Sequence, residues 1–363
     1  MKSKKTENAL KINKGIPPPS AVNPALKNKL KTHFKKEKPG LDELLDGIKK
    51  SNRTLISRAI TLIESELPED KETASELLKK CLPSSGNSFR LGITGVPGAG
   101  KSTFIETFGL YAIEQGKKVA VLAIDPSSTK TKGSILGDKT RMEQLSAHPL
   151  AFIRPSPTAG SLGGVAKKTR ESIIILEAAG YDFIIVETVG VGQSEITVAQ
   201  MTDFFLLMLI AGAGDELQGI KRGVMEMADL VLINKSDGDN VQKALLTKKE
   251  IENALHLFPV GKSQWKPQVI AVSALEKKGI DETWRTIDRY LSITRQNGYF
   301  YRKREEQLIS TLKDHINNRL LQTFYQNPFI QNQLSSYEEL IKQGKISPYE
   351  AAEKLLKSYF ENL

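Results

Sequence analysis

The sequence predicts an α/β fold in which helices cover both faces of a mostly parallel sheet. In the middle of the chain, short runs that are apolar on both faces alternate with helical stretches, as in parallel sheets buried on both sides. Helical periodicity prevails before and after this region. The predicted strands span residues 89–94, 118–124, 150–153, 183–186, 204–210, 230–233 and 269–272.

The same patterns divide the 363 residues into four segments. A Lys-rich tail, expected to be disordered, spans residues 1–40, and an N-terminal helical segment spans 41–88. The α/β domain is expected to span 89–297, and a C-terminal helical arm to span 298–363.

The positive charge of the chain is concentrated in the tail. The formal net charge is +10, yet residues 1–39 hold eleven Lys, no Arg and only two Glu, so the remaining chain is close to neutral. With Pro17–Pro19 and Pro24 in it, the tail is expected to be solvated, although contact with a phosphate-rich or anionic surface stays open. The near-neutral remainder argues against a nucleic-acid-binding protein.

Neither a membrane span nor a secretory signal is predicted. The longest apolar run, Phe204–Ala211, is far shorter than the roughly 20 residues that a bilayer span requires. The single cysteine, Cys81, excludes an intrachain disulfide and suits a reducing compartment. We therefore expect a cytoplasmic protein in which Cys81 packs as a small apolar residue on one helical face.

Apolar stripes identify the flanking helices. The stripe of the N-terminal segment consists of Leu55, Ile56, Ala59, Ile60 and Ile63. The stripe of the arm repeats every four residues and consists of Leu308, Leu312, Ile316 and Leu320. Such spacing predicts amphipathic helices with one apolar face each.

A glycine-rich segment after the first predicted strand fits the pattern G-x-x-x-x-G-K-[ST] at every fixed position. Its residues are Gly95, Val96, Pro97, Gly98, Ala99, Gly100, Lys101 and Ser102, with Thr103 following. Glycines let backbone N–H groups curl around phosphate oxygens at the positive end of the next helix. We expect Lys101 to neutralise the β- and γ-phosphates and the Ser102 hydroxyl to ligate Mg²⁺, as in a P-loop.

A second motif predicts that the base is guanine, and hence that the nucleotide is GTP or GDP. Asn234-Lys235-Ser236-Asp237 follows one predicted strand, and Ser273-Ala274 follows the next. The Asp237 carboxylate can accept hydrogen bonds from the guanine N1–H and exocyclic amine, which adenine cannot reproduce. Lys235 is expected to lie over the plane of the base.

Three acidic residues are candidates for the metal and the attacking water. Asp125 and Glu187 each follow a predicted strand, and Asp138 lies in a polar segment. Carboxylates at the carboxyl ends of parallel strands face the ligand crevice. Mg²⁺ takes one or two carboxylates besides phosphate and water, so not all three can be direct ligands, and each could instead be a solvated loop acid. We expect Glu187 to lie behind a metal-bound water.

Two glycine-rich turns are candidate switches. In residues 190–195, the Gly190 N–H could reach the γ-phosphate and lose that contact on hydrolysis. Residues 211–223 follow a buried strand and carry Lys221 and Arg222, which could swing toward the phosphates. An ordinary polar loop is the alternative interpretation of this second turn.

Taken together, these segments resemble the MeaB/ArgK family of GTPases, to which the human methylmalonic aciduria type A protein belongs. The most specific strings are residues 133–142 and 190–195. They are supported by the P-loop and by residues 124–128, 214–223 and 234–237. The resemblance covers about residues 41–360 and leaves out the Lys-rich tail.

The resemblance implies a P-loop NTPase domain of the SIMIBI class and a C-terminal arm that forms a homodimer. It implies a chaperone of an adenosylcobalamin-dependent acyl-CoA mutase, typically methylmalonyl-CoA mutase, that gates cofactor loading and protects or reactivates the enzyme. Lys221 would contribute positive charge when the mutase promotes hydrolysis. By motif, the catalytic residues are Lys101, Asp125, Asp138, Glu187 and Lys221, and the metal-site residues are Ser102, Asp125, Asp138 and Glu187.

Two other functions stay open. A metallochaperone GTPase would insert nickel or another metal, but such proteins usually carry His or Cys clusters, whereas the four His here are scattered and Cys81 stands alone. An ATP-driven kinase linked to amino-acid transport is the other alternative, and the guanine-reading Asp237 argues against it.

Overall fold

A computed structural model of the protein describes residues 38–125, 142–157, 162–188, 194–211, 222–259 and 261–361. Its strands are β1 (Phe89–Gly95), β2 (Val119–Asp125), β3 (Ala151–Pro157), β4 (Phe183–Thr188), β5 (Phe204–Ile210), β6 (Leu230–Asn234) and β7 (Gln268–Ala271). They form a parallel sheet in the order β3-β2-β4-β1-β5-β6-β7. The predicted fold class is therefore confirmed.

Helices flank this sheet along the described part of the chain. Those before β3 are α1 (Leu41–Lys49), α2 (Arg53–Glu64), α3 (Pro68–Cys81), α4 (Lys101–Glu114) and α5 (Glu143–Ala147). Those before β7 are α6 (Leu162–Ala178), α7 (Ser194–Ala199), α8 (Arg222–Met227) and α9 (Val241–Leu255). Those after β7 are α10 (Ile280–Gln296), α11 (Tyr299–Gln326), α12 (Pro328–Lys342) and α13 (Pro348–Glu361).

The central strands are buried on both faces, which explains their continuous apolar runs. Every residue of β4 and of β6 is buried. At the sheet edge, β3 extends to Pro157, beyond the apolar run at 150–153 that predicted it. The extension includes Pro155, which an edge strand tolerates because one side of its backbone needs no ladder partner.

The N-terminal helices share a hydrophobic core with one face of the sheet. Ile56 and Ile60 of α2 are fully buried and belong to the same cluster as Leu122 and Ile184 of the sheet. Asn52 caps α2, since its side chain accepts hydrogen bonds from the backbone N–H groups of the first turn. Cys81 is buried in this cluster, which confirms its predicted role as a small apolar residue.

The C-terminal helices begin in contact with the sheet and then leave it. Phe300, in the first turn of α11, is buried in the core that contains β1 and β5. Farther along α11, the predicted stripe is 47–71% exposed, so the described chain does not cover it. Its members are Leu308, Leu312, Ile316 and Leu320. Among the described helices, not one combines the length and the apolarity needed to cross a bilayer.

Candidate nucleotide-binding site

The phosphate loop connects β1, in the middle of the sheet, to the N-terminus of α4. Gly95 and Gly100 have positive φ angles of 155° and 82°. A Cβ atom at Gly95 would lie 2.2 Å from the Met208 carbonyl oxygen, and one at Gly100 would lie 2.7 Å from Asn234 Nδ2. Both positions therefore require glycine, and the loop they form presents the first N–H groups of α4 to a phosphate.

Lys101 is held over this loop. Its ammonium donates hydrogen bonds to the carbonyl oxygens of Gly95 (2.9 Å) and Val96 (3.4 Å), and the side chain is buried. Burial lowers the pKa of Lys101, while the carboxylates of Glu187 and Glu195 act in the opposite direction. A cation in this position, next to the loop backbone, suits the binding of phosphate oxygens.

Two of the three candidate acidic residues lie at the carboxyl ends of strands. Asp125 is the last residue of β2, and Glu187 is the penultimate residue of β4. Glu187 is buried and lies in register with Ile93 of β1, two residues before the phosphate loop. The predicted site residues Asp138, Gly190 and Lys221 lie outside the described residues.

Asn234 connects the phosphate loop to the base-recognition segments. It ends β6, its Nδ2 donates to the Ala99 carbonyl oxygen at 2.7 Å, and its Oδ1 accepts from the Ala274 N–H at 3.2 Å. The side chain is buried. The motif predicted Asn234 as a nucleotide-binding residue, and the structure shows how it holds three loops together.

Asp237 is oriented by Ser273. The Ser273 hydroxyl donates to Asp237 Oδ2 at 2.5 Å and accepts a hydrogen bond from the Glu276 N–H at 3.0 Å. Lys235 has a positive φ of 58°, which turns the chain between Asn234 and Asp237. The structure thus brings together both halves of the predicted guanine site.

Two features of the site were not predicted. Glu195, on α7, is buried and acts on Lys101 electrostatically, although the sequence places it only at the end of a candidate switch. The Thr188 hydroxyl, on β4, donates a hydrogen bond to the Thr94 hydroxyl, on β1, at 2.8 Å. A buried threonine at the end of each strand was the only signal, and it is too common to predict this contact.

Comparison with known proteins identifies the family. The model of the family described as "Methylmalonyl Co-A mutase-associated GTPase MeaB" matches residues 56–329. The chain belongs to the MeaB family of GTPases. This MeaB-family chain is therefore a P-loop GTPase that binds guanine nucleotide, which confirms the predicted enzyme class and the predicted family.

Curated relatives of this MeaB-family GTPase match it over most of its length. A probable GTPase of Mycobacterium tuberculosis is 46% identical over 316 residues, which is 87% of this chain and 94% of that protein. The GTPase ArgK of Escherichia coli is 44% identical over 308 residues, 85% of this chain and 93% of ArgK. The mitochondrial methylmalonic aciduria type A homolog of mouse is 44% identical over 348 residues, 93% of this chain and 84% of the mouse protein.

A solved structure shares the fold. A crystal structure described as that of a LAO/AO transport system kinase superposes with a TM-score of 0.71 at 37% sequence identity. The match covers 89% of this chain and 98% of the other.

Proposed function

We propose that this GTPase is a chaperone of an adenosylcobalamin-dependent acyl-CoA mutase, with methylmalonyl-CoA mutase as the favoured partner. GTP hydrolysis would gate cofactor loading and protect or reactivate the mutase. The observation that carries the proposal is the family match, whose description names a mutase-associated GTPase. The likeness to the mouse methylmalonic aciduria type A homolog supports it. We further propose that the protein acts in the cytoplasm.

We propose that Mg²⁺, a hard cation that prefers oxygen ligands, binds beside the phosphate loop. Ser102 lies in the first turn of α4, and Asp125 is the last residue of β2. We propose these two as ligands, with Asp138 and Glu187 beside the attacking water. When bound, Mg²⁺ would neutralise charge on the phosphate oxygens.

The roles of the protein's own groups follow from their positions. The backbone of residues 95–103 would hold the phosphates, and Lys101 would turn its ammonium from two loop carbonyls to phosphate oxygens. Asp237, held by Ser273, would read the guanine edge, while Lys235 covers the base. Gly190 would contact the γ-phosphate and change position after hydrolysis.

A homodimer is the assembly that we propose. The exposed stripe of α11 offers a continuous apolar face, which soluble proteins usually bury against a partner. A second copy of the chain would supply a matching stripe around a two-fold axis. The proposed dimerisation arm, residues 298–363, contains this stripe.

The partner proposal is tested by GTP turnover with and without methylmalonyl-CoA mutase. We expect slow intrinsic hydrolysis that the mutase accelerates, because the phosphate-loop motif supplies Lys101 for the charge of the bound phosphates but commits no arginine to the transition state. Lys221→Ala should leave GTP affinity and basal turnover nearly intact and remove most of the acceleration. An added cation in such sites is worth about 10³- to 10⁵-fold in rate.

Lys248→Ala is the matched control, since Lys248 lies on α9, outside the site. This variant should be stimulated like the wild type. If the mutase stimulates Lys221→Ala as much as the wild type, Lys221 does not supply the positive charge that accelerates hydrolysis. If no cobalamin-dependent mutase stimulates GTP turnover by the wild type, the partner proposal is overturned.

A further inference from the structure

The short helix α7 lies directly against the central strand β1. A Cβ atom at Gly92, in the middle of β1, would be 2.7 Å from Thr202 Oγ1 and 2.9 Å from Val198 Cγ1. Thr202 in turn donates its hydroxyl to the Val198 carbonyl oxygen at 2.8 Å. The absence of a side chain at Gly92 therefore lets α7 and the residues after it pack as one unit on the strand that leads to the phosphate loop.

The two ends of this unit face different parts of the molecule. At one end, Glu195 is buried, and the charge of its carboxylate acts on the ammonium of Lys101 in the phosphate loop. At the other end, the Thr202 carbonyl oxygen accepts a hydrogen bond from Gln307 Nε2 at 2.9 Å. Gln307 belongs to α11, so one side chain joins the C-terminal helix to the segment that carries Glu195.

Gln307 differs from its neighbour Arg304 in how its polar atoms are paired. Arg304 donates to both carboxylate oxygens of Asp203 and to the carbonyl oxygens of Gly86 and Ser88. In contrast, Gln307 Oε1 is buried and accepts no hydrogen bond from any residue that the structure describes. A buried acceptor without a partner is unfavourable, so the useful contribution of the Gln307 amide at this position is its donor to the Thr202 carbonyl oxygen.

We propose that Gln307 is a positioning residue for GTP hydrolysis. By holding the Thr202 carbonyl, its amide keeps α7 seated on β1 and Glu195 in place beside the phosphate loop. This inference concerns intrinsic GTP turnover in the absence of any mutase. Its failure would therefore leave the partner proposal untouched.

The test is Gln307→Leu, which keeps the approximate volume and removes the donor together with the unpartnered acceptor. We expect kcat for GTP to fall about fivefold, the equivalent of one ordinary hydrogen bond, with KM changed less than twofold. The midpoint of thermal unfolding should change little, because the loss of the unpartnered acceptor offsets the loss of the donor to the Thr202 carbonyl oxygen. Amide hydrogen exchange over residues 194–203 should become faster.

Gln333→Leu is the matched control. Gln333 lies on α12 and also has a buried Oε1 without a partner among the described residues, so the chemical change is the same in another helix of the arm. This control should keep the wild-type kcat. Gln307→Lys should restore most of the rate, because it keeps a donor for the Thr202 carbonyl.

Three results would overturn the inference. The first is a wild-type kcat and unchanged exchange over residues 194–203 in Gln307→Leu. The second is an equal loss of kcat in Gln333→Leu, which would indicate a general effect on the arm. The third is a Gln307→Lys variant that folds like the wild type and turns over GTP as slowly as Gln307→Leu.

Discussion

Single residues of the nucleotide site hold one another in place. Asn234 bonds to the phosphate loop and to Ala274, and Ser273 orients Asp237. Each of these groups is short and buried or half-buried, so little conformational freedom is left to lose when nucleotide binds. Base recognition should therefore depend strongly on the identity of single atoms.

Asp237→Asn tests the base preference. The substitution replaces an acceptor with a donor where guanine offers its N1–H and amine, so we expect GTP affinity to fall about 30- to 1000-fold. Xanthine nucleotide should bind better to the variant than to the wild type, because its pattern of donors and acceptors matches. Titration with both nucleotides measures this change. Wild-type protein that binds ATP as tightly as GTP would contradict the assignment of the base.

Cys81 gives a second prediction at this scale. Burial raises the pKa of its thiol to about 11, so at pH 8 the reactive thiolate is scarce as well as inaccessible. We expect iodoacetamide to leave the native protein unmodified and to alkylate Cys81 once denaturant unfolds it. Mass spectrometry after each treatment measures the modification. Alkylation of the native protein at the rate of a free thiol would show that α3 opens readily.

At the scale of elements, α11 is anchored to the sheet by a buried ion pair. Arg304 Nη2 lies 2.7 Å from Asp203 Oδ2, and the Asp203 side chain is only 1% exposed. The Tyr290 hydroxyl and the Lys303 ammonium both donate to the Asp203 carbonyl oxygen at 2.9 Å. The first turns of α11 are thus fixed at the beginning of β5, whereas the exposed stripe lies farther along the helix.

Arg304→Met tests this anchor. Removal of one partner of a buried pair leaves the other charge uncompensated, and we expect a loss of about 3–5 kcal/mol of unfolding free energy. Arg285→Met is the control, because Arg285 forms an exposed pair with Asp281 on α10, and it should change stability by less than about 0.5 kcal/mol. Urea denaturation measures both. Equal stabilities of the two variants would show that the pair does not anchor the helix.

At the scale of the whole molecule, the exposed apolar stripe of α11 bears on how the chain assembles. The arm has its own small core, formed by Ile330, Leu355 and Tyr359, so α12 and α13 pack together without covering the stripe of α11. The stripe is therefore the surface at which we propose that a second copy of the chain binds.

Leu312→Glu tests the homodimer that we propose. A charge in the middle of an apolar interface is costly to bury, so we expect the variant to be monomeric at micromolar concentration and to bind GTP normally. Leu246→Glu is the control, because Leu246 is an exposed leucine on α9, outside the arm. Light scattering measures the mass in solution. A wild-type protein that is monomeric at the same concentration would contradict the proposed homodimer.

The sequence by itself determined the chemistry of this protein. The phosphate loop, Asn234–Asp237 and Ser273-Ala274 are contiguous strings whose meaning depends on local backbone and side-chain chemistry, and the alternation of apolar runs and helices is enough to indicate a parallel sheet. Only the tertiary structure decided which distant residues meet. The Asn234 bond to the Ala99 carbonyl spans 135 residues, and the Gln307 bond to the Thr202 carbonyl spans 105. Such contacts depend on the order of strands and on which helix face packs inward, and neither leaves a local pattern in the chain.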